Sequence, residues 1–430
     1  MRPFFGRSVS LASVSPLRLS GTVGARRDLF GARILTGSRH PAHESQRPRV
    51  LYVQYTNPSV YPPTENGARL LADAGVEVLL LGTGAGDTYR LEPRERVRIE
   101  LMPFERGGWK QKVHYGRFLL WVLWHARRWR PDWVYATDPL ACPIALALTW
   151  FRRVRLVYHE YDAPAPAQSR FMRIVMRARR IVARRADVCA LPNEKRAAAF
   201  RRDTGRDDLV TVWNCPRRAE VSTEPLQVHA GRLRVLYQGS LVPARVPMAV
   251  IDALAMTPAE VSLVLVAFET VGYPGYFEAL ASRARSLGVG DRLEWVKTVS
   301  NRAELMRHCA TCDAGLSLMP LASSDINLVA MTGASNKPFD YMACGLPLIV
   351  SDLPEWREMY VEPGFALPCN PESPESIAGA WRWLLEHRDE REAMARRARR
   401  RIAEDWNFDR TFAPVLSRVA GRQSALRPLH

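Results

Sequence analysis

The feature that most limits what this chain can fold into is an alternation that runs twice. From residue 49, short runs rich in aliphatic and aromatic residues (49–55, 76–82, 132–136, 154–159, 187–191 and 209–213) alternate with segments of helical periodicity, such as 68–74, 113–130 and 170–185. A polar stretch at 217–232 breaks the pattern. It restarts with strand-like runs at 233–238, 261–268, 292–296, 313–318 and 346–351. Strands that alternate with helices specify a parallel sheet covered on both faces. The spacing therefore predicts an α/β chain of two Rossmann-like, doubly wound domains, at 48–218 and 233–404, with a linker at 219–232. Such sheets bind ligands beyond the carboxyl ends of their strands, so the cleft between the domains is the expected site. Helical segments at 375–386, 388–404 and 409–419 end the pattern. The stretch 405–422 is expected to cross back and tie the second domain to the first.

Composition removes several other classes. Hydrophobic residues make up 47% and charged residues 24% of the 430, as in ordinary globular chains, so the chain as a whole is not disordered. The 26 glycines and 31 prolines follow no fixed period, which excludes a fibrous repeat. The longest nearly apolar run, 140–151, is shorter than the roughly 18 residues of a membrane span. Seven cysteines in so long a chain make no disulfide scaffold, and a reducing, cytoplasmic setting is expected. Residues 1–47 hold many Ser, Gly and Arg and no acid before Asp28. They read as a disordered extension or a misplaced start, with a transit peptide as the alternative. The net charge is +17, carried almost wholly by arginine, and it favours anionic partners: nucleic acid, anionic lipid or phosphorylated substrates.

Two stretches in the second half carry chemistry. Tyr237-Gln-Gly-Ser-Leu241 ends a strand in a Gly turn before a helix, with Arg245 just beyond. Gly239 allows close backbone approach, the helix start offers free N–H groups to an anion, and Arg245 can clamp a phosphate. An ordinary βα turn with a solvated Arg is the alternative. The second stretch runs from Ser335-Asn-Lys-Pro-Phe-Asp340 through Tyr341-Met-Ala-Cys-Gly345 to Leu346-Pro-Leu-Ile349. Ser335 or Asn336 can cap a short helix, and Pro338 suits its first turn. Lys337 stands against the helix dipole, which makes sense if an anion lies between it and the free amides. Asp340 is placed to accept hydrogen bonds from ribose hydroxyls. A structural helix with surface charges is the alternative.

Together these stretches resemble the donor-binding half of GT-B glycosyltransferases, in particular glycosyltransferase family 4. Tyr237-Gln-Gly-Ser-Leu241, Arg245 and Asp252-Ala-Leu254 occupy the frame in which that family reads Tyr-Val-Gly-Arg-Leu, a basic residue and Glu-Ala-Leu. Asp340-Tyr-Met-Ala-Cys-Gly-Leu-Pro-Leu-Ile349 follows Glu-Ala-Met-Ala-x-Gly-x-Pro-Val-Val. The layout matches over about 49–420 and is specific over 233–369. The resemblance implies transfer of a sugar from a nucleotide-diphosphate sugar to a hydroxyl acceptor, with retention and without a metal. It assigns Gly239, Ser240, Arg245, Ser335, Asn336, Lys337 and Asp340 to the donor. Two departures stand out. The first glutamate of the family's pair falls on Thr332, and its first phosphate-site Arg falls on Ser240.

The first half is less specific. Asn57, Tyr61 and Asn66 lie in a Pro-rich segment after the first strand and are expected to line the acceptor side, or else to form a surface loop. Asp138 and the pair His159-Glu160 follow strands where a doubly wound domain places its ligands. By the resemblance His159 approaches the donor sugar, while Glu160 or Asp138 orients or deprotonates the acceptor. Gly82-Thr-Gly-Ala-Gly-Asp87 follows the second strand rather than the first and opens no apolar helix, so no dinucleotide site is expected. Cys309 and Cys312 form a lone C-x-x-C, read as buried thiols. No Asp-x-Asp motif is present, and no metal or other cofactor is expected. The Arg-rich helices at 117–133 and 170–185 read either as packed against the sheet or as a surface for anionic lipid on the inner face of the plasma membrane. A lipid-linked sugar or surface-polysaccharide intermediate would suit that second reading as acceptor. The rival functions are a nucleotide-sugar epimerase and a non-catalytic, basic nucleic-acid or membrane-binding protein. No nucleic acid is expected as a partner of a glycosyltransferase.

Overall fold

A computed structural model describes residues 47–421, apart from 85–90, 92–93, 106–107, 152, 165–168, 226–228, 230, 271 and 298. Most of the N-terminal extension and part of the Gly82–Asp87 loop lie outside the described residues.

The first half forms a seven-stranded sheet in the order β3-β2-β1-β4-β5-β6-β7, with all pairs parallel. Its strands are β1 (Arg49–Val53), β2 (Glu77–Gly84), β3 (Val97–Pro103), β4 (Trp133–Thr137), β5 (Arg155–His159), β6 (Val188–Leu191) and β7 (Val210–Thr211). Apart from Arg49 at the start of β1, strands β1, β4 and β6 are buried throughout, which is why they read as near-continuous apolar runs. The pattern did not announce β3. It mixes half-buried and exposed residues, none fully buried, and carries Arg98 and Glu100, as befits an edge. Helices α2 (Trp109–Trp129), α3 (Asp138–Phe151), α4 (Arg170–Arg185) and α5 (Glu194–Thr204) pack their apolar faces with one side of this sheet. Helix α1 (Pro62–Asp73) packs on the other side.

The second half forms a six-stranded parallel sheet, β10-β9-β8-β11-β12-β13. Its strands are β8 (Leu233–Leu241), β9 (Val261–Glu269), β10 (Leu293–Val296), β11 (Ala314–Ser317), β12 (Leu348–Ser351) and β13 (Ala366–Cys369). The last is the other strand that the pattern missed: it has four residues and contains Pro368, which only an edge tolerates. The helices here are α6 (Ala249–Ala255), α7 (Tyr276–Ser286), α8 (Arg302–Ala310), α9 (Ile326–Val329), α10 (Asn336–Ala343), α11 (Pro354–Trp356), α12 (Pro374–Glu386) and α13 (Arg388–Glu404).

The chain then returns. Helices α14 (Phe408–Thr411) and α15 (Ala413–Ala420) lie on α1 of the first half, and Phe412 reaches Tyr135 of β4 at 6.5 Å between ring centroids. One apolar core therefore runs from Tyr52 and Tyr135, through Phe412 and Phe408, to Phe339 and Leu236 of the second sheet. Arg217 ties the same corner, pairing with Asp73 of α1 at 2.9 Å and with Asp409 of α14 at 3.2 Å. Residues 47–421 thus form two doubly wound sheets whose β1/β4 and β8/β11 switch points stand at the carboxyl ends of their strands.

Candidate active site

In the second sheet, Gly239 is not in the expected turn but near the end of β8, paired with β9, at φ 110°, a region that disfavours any residue with a Cβ. A Cβ there would lie 3.1 Å from Cε of Lys337. The glycine thus lets the first turn of α10 close on β8. Lys337 is 6% exposed, and its Nζ sits 5.8 Å from the centroid of the Tyr237 ring. Burial, helped by the charge of Arg245, pulls its ammonium down to about 7, against a smaller opposing pull from Asp340. Arg245 donates to Ser240 Oγ at 2.6 Å, while its buried Nε has no partner. Ser335 precedes α10 without making a side-chain cap, and its buried Oγ is unpartnered as well. The first amides of α10 have no intrahelical acceptor. Two cations, spare donors and a helix N-terminus therefore converge around Gly239. Such a surplus of donors accepts an anion with two or more charges.

Asp340 departs from its expected role. Its carboxylate is fully buried and accepts from Gln238 Nε2 at 2.9 Å, Arg302 Nη2 at 2.7 Å, Asn336 Nδ2 at 3.2 Å and Arg302 Nη1 at 3.3 Å. Fully buried and committed to these partners, it presents no face to a ribose. Arg302 also pairs with Glu220 of the linker. The Glu220–Arg302–Asp340 chain anchors α10, and with it Lys337, to the linker. Asn336 faces Asp340 rather than the anion site. Sequence reasoning passed over Arg302, because a basic residue after an Asn cap looks like any solvated helix start.

In the first sheet, β4 passes into α3 at Asp138, which has a left-handed φ of 61° and accepts from the amides of Tyr161 at 2.8 Å and Asp162 at 3.4 Å. Burial, and then the charge of Asp162, push its carboxyl up to about 8. His159 is fully buried at the end of β5, with Nδ1 2.7 Å from the Tyr135 hydroxyl and Nε2 unpartnered. Burial holds its imidazole down at about 3, so it is neutral throughout the physiological range. The Tyr161 ring lies tilted against His159 at 4.4 Å and stacks on Tyr61 at 5.6 Å. Burial and then the nearby Asp138 and Asp162 raise the Tyr61 hydroxyl well above its usual range. Asp138, His159, Tyr61 and Tyr161 thus gather at one edge of the sheet.

Glu160 and Asn66 do not join them. Glu160 is buried on the other side of the sheet, held by Arg179 at 2.5 and 2.8 Å and by the Tyr158 hydroxyl. A carboxylate committed to a buried guanidinium is a structural partner, not a free base. The segment 57–66 is not an open wall. Asn57 caps a 3₁₀ turn, and Pro62 and Pro63 start α1, where proline costs no hydrogen bond. That buries Asn66 in the helix, donating to the Cys215 carbonyl at 3.3 Å.

The two edges meet through residues 327–334. Asn327 exchanges two 2.9 Å hydrogen bonds with the backbone of Ala163. Asn193, the cap of α5, donates to the carbonyls of Ala330 (2.9 Å) and Thr332 (2.8 Å), and Arg196 bridges the carbonyls of Ala330 (3.2 Å) and Tyr161 (2.6 Å). Gly333, at φ 73°, lets Trp213 and the Pro192 carbonyl approach within 3.0 Å of where a Cβ would stand. Two residues on, this segment reaches Ser335 and the anion site. Thr332, at the expected place of a glutamate, gives its hydroxyl to Glu355, which pairs with Lys195 of α5. Asn193, Arg196 and Trp213 carry no sequence motif. Only an Asn before a helix start hinted at the first of them.

Two doubly wound parallel sheets in one chain, joined by a linker and by a returning C-terminal helix, fit the GT-B class of α/β proteins. Family models agree with this on both halves: a glycosyl transferase 4-like domain matches residues 64–216, and a glycosyl transferase-like domain matches 269–417. Together they span well over half of the chain, which belongs to the GT4-like glycosyltransferases of the GT-B fold. Similar solved structures include HepE from Anabaena in complex with UDP and glucose, at 16% identity, TM-score 0.62, covering 88% of this chain and 97% of that one. WaaG, a glycosyltransferase involved in lipopolysaccharide biosynthesis, is similar at 16% identity and TM-score 0.59 over 87% and 100%. An Escherichia coli structure described as trehalose-6-phosphate bound with UDP-2-fluoro glucose is similar at 13% identity and TM-score 0.63 over 86% and 98%. No curated protein matches the sequence significantly.

Proposed function

We propose that this glycosyltransferase binds the diphosphate of a nucleotide sugar between Arg245 and Lys337, and passes the sugar to an acceptor hydroxyl entering beside Asp138. The carrying observation is the pair of cations around Gly239, one of them a buried lysine lacking any hydrogen bond or ion pair among the described residues. In the transfer, the acceptor oxygen bonds the anomeric carbon while the bond from that carbon to the diphosphate breaks. The electron pair leaves with the nucleoside diphosphate. Lys337, Arg245 and the α10 amides stabilise that developing charge, so no metal is assigned. Ser240 orients Arg245. His159, neutral and with Nε2 free, serves as a hydrogen-bonding group rather than a proton acceptor. The Asp138 carboxyl, titrating near 8, takes the acceptor proton. Retention, carried over from the family resemblance, requires that the acceptor oxygen approach the anomeric carbon from the same face that the diphosphate leaves. HepE's complex with UDP and glucose supports a nucleotide-sugar donor of this general kind.

A lipid-linked or surface-polysaccharide acceptor, met at the cytoplasmic face of a membrane, completes the reading. Its support is the outer stripe of α2, where Trp109, Val113, Leu120 and Trp124 are exposed beside Arg117, Arg127 and Arg128, with WaaG as a relative in fold. No described helix is long and apolar enough to cross a membrane.

A thermal-shift panel with UDP, GDP, ADP and CMP tests the donor site. A ligand at 100 times its dissociation constant stabilises by about 2.7 kcal/mol. One nucleoside diphosphate is expected to raise the melting temperature in wild type but not in Arg245→Met or Lys337→Met. A folded protein that responds to none of them would overturn the assignment.

A further inference from the structure

Helix α4 carries seven arginines, and the structure sorts them by face. Arg179 falls among the buried residues Val175, Ala178 and Val182, and its charge is absorbed by Glu160 and Asp203. Arg173, Arg177, Arg180 and Arg184 follow helical spacing along the outer face. Arg180 pairs with Asp203, and Arg184 donates to the Thr204 carbonyl. The guanidiniums of Arg173 and Arg177, one turn apart, have no ion pair or hydrogen bond among the described residues.

This row does not face outward as a flat surface. It forms one wall of a groove of about 990 Å³ between α4 and α5. The groove is amphipathic: Met176 and Ile181 flank the arginines, and Ala199 and Phe200 stand opposite. Its acids, Glu160 and Asp203, are already neutralised by Arg179 and Arg180. The groove therefore has an uncompensated positive charge beside apolar wall. One end is lined by Ala163, Pro164 and Ile326, where the first domain meets 327–334 of the second. Ala163 follows Tyr161 and Asp162, whose amides hold Asp138. One end of the groove thus adjoins the segment whose amides hold Asp138.

We propose that this groove holds the acceptor's anionic head, a phosphate ester on a hydrocarbon chain. The ester is clamped by Arg173 and Arg177, and the chain lies against Met176 and Ile181. This deepens the transferase reading above by naming the acceptor class as an acidic amphiphile. Two guanidiniums at i and i+4 suit one phosphate, since each offers a forked, charge-assisted pair of donors. The volume is at the upper end of small-molecule sites and exceeds what an inorganic anion needs.

The test is calorimetry with monomeric decyl phosphate, against decyl maltoside, inorganic phosphate and phosphatidylglycerol vesicles. Wild type is expected to bind decyl phosphate one to one, and to bind decyl maltoside and inorganic phosphate far more weakly. Arg173→Ala with Arg177→Ala should weaken decyl phosphate about 10- to 100-fold, as expected for loss of hydrogen bonds to a charged group. Both side chains are exposed, so the variant should fold, which its melting curve checks. Equal affinity in the variant, no binding of decyl phosphate, or binding to vesicles alone would each overturn the proposal; the last would make α4 a bilayer surface. Nucleoside diphosphate binding is measured in parallel. Its absence alongside intact decyl phosphate binding would count against the donor assignment and not against the groove.

Discussion

Lys337 makes the donor assignment measurable without knowing the sugar. Its amine is buried and titrates at about 7 instead of 10.5. A tenfold change in proton affinity corresponds to about 1.4 kcal/mol, so carrying this group at pH 7 costs the ligand-free fold on the order of 4 kcal/mol. Because the folded value is depressed, the unfolded chain holds more protons between pH 7 and 10.5. Stability therefore rises with pH across that window. Lys337→Met keeps the stem and removes the charge, at the loss of the contact with Tyr237, worth about 0.5–2 kcal/mol. The ligand-free variant should melt several degrees above wild type at pH 7, since 1 kcal/mol moves the midpoint by about 2–4 °C in domains of this size. A bound diphosphate restores the ordinary lysine value, so binding takes up a proton. From pH 6 to 8.5 the affinity for the preferred nucleotide sugar, whose diphosphate diester does not titrate there, should fall about 30-fold in wild type. The variant should bind weakly with no pH dependence. Titration calorimetry in two buffers of different ionisation enthalpy reads the proton directly. Unchanged wild-type affinity across that range, or a less stable ligand-free variant, would refute the reasoning.

Other expectations follow from the same geometry. Arg302→Met strands the buried Asp340 and should cost about 3–5 kcal/mol in chemical denaturation; an effect under 1 kcal/mol would remove the anchoring role of that ion chain. Gly333→Ala forces a Cβ against Trp213 and the Pro192 carbonyl at positive φ, so kcat/KM should drop at least tenfold while the donor-site thermal shift persists. With the donor saturating, kcat/KM for the acceptor should rise with pH through about 8, a rise that Asp138→Asn abolishes; an unchanged pH profile in the variant would exclude Asp138 as the base. The raised Asp138 value also means that its ionisation opposes folding. Stability attributable to it falls between about pH 4 and 8, and Asp138→Asn should be the more stable protein above pH 8, as read from melting curves.

What the sequence alone determined was the architecture and the clustering of Gly239, Arg245 and Lys337. Buried parallel strands need apolar runs, and covering helices need a 3.6-residue period, so both domains and the break between them were legible. The edges β3 and β13 were not, because an edge strand is held by its neighbour rather than by its own pattern. Gly239, Arg245 and Lys337 were legible too, since a glycine near a strand end and a helix start constrain the residues around them. Tertiary structure decided which charges are free. Asp340 and Lys337 are three residues apart on one short helix, yet Arg302 and Gln238, distant in sequence, saturate the carboxylate and leave the amine bare. Likewise His159 and Glu160 are adjacent, but successive residues along a strand point to opposite faces. One faces Tyr135 and the other is consumed by Arg179. A charge's role depends on whether a partner reaches it, and partners come from segments that only the fold brings together.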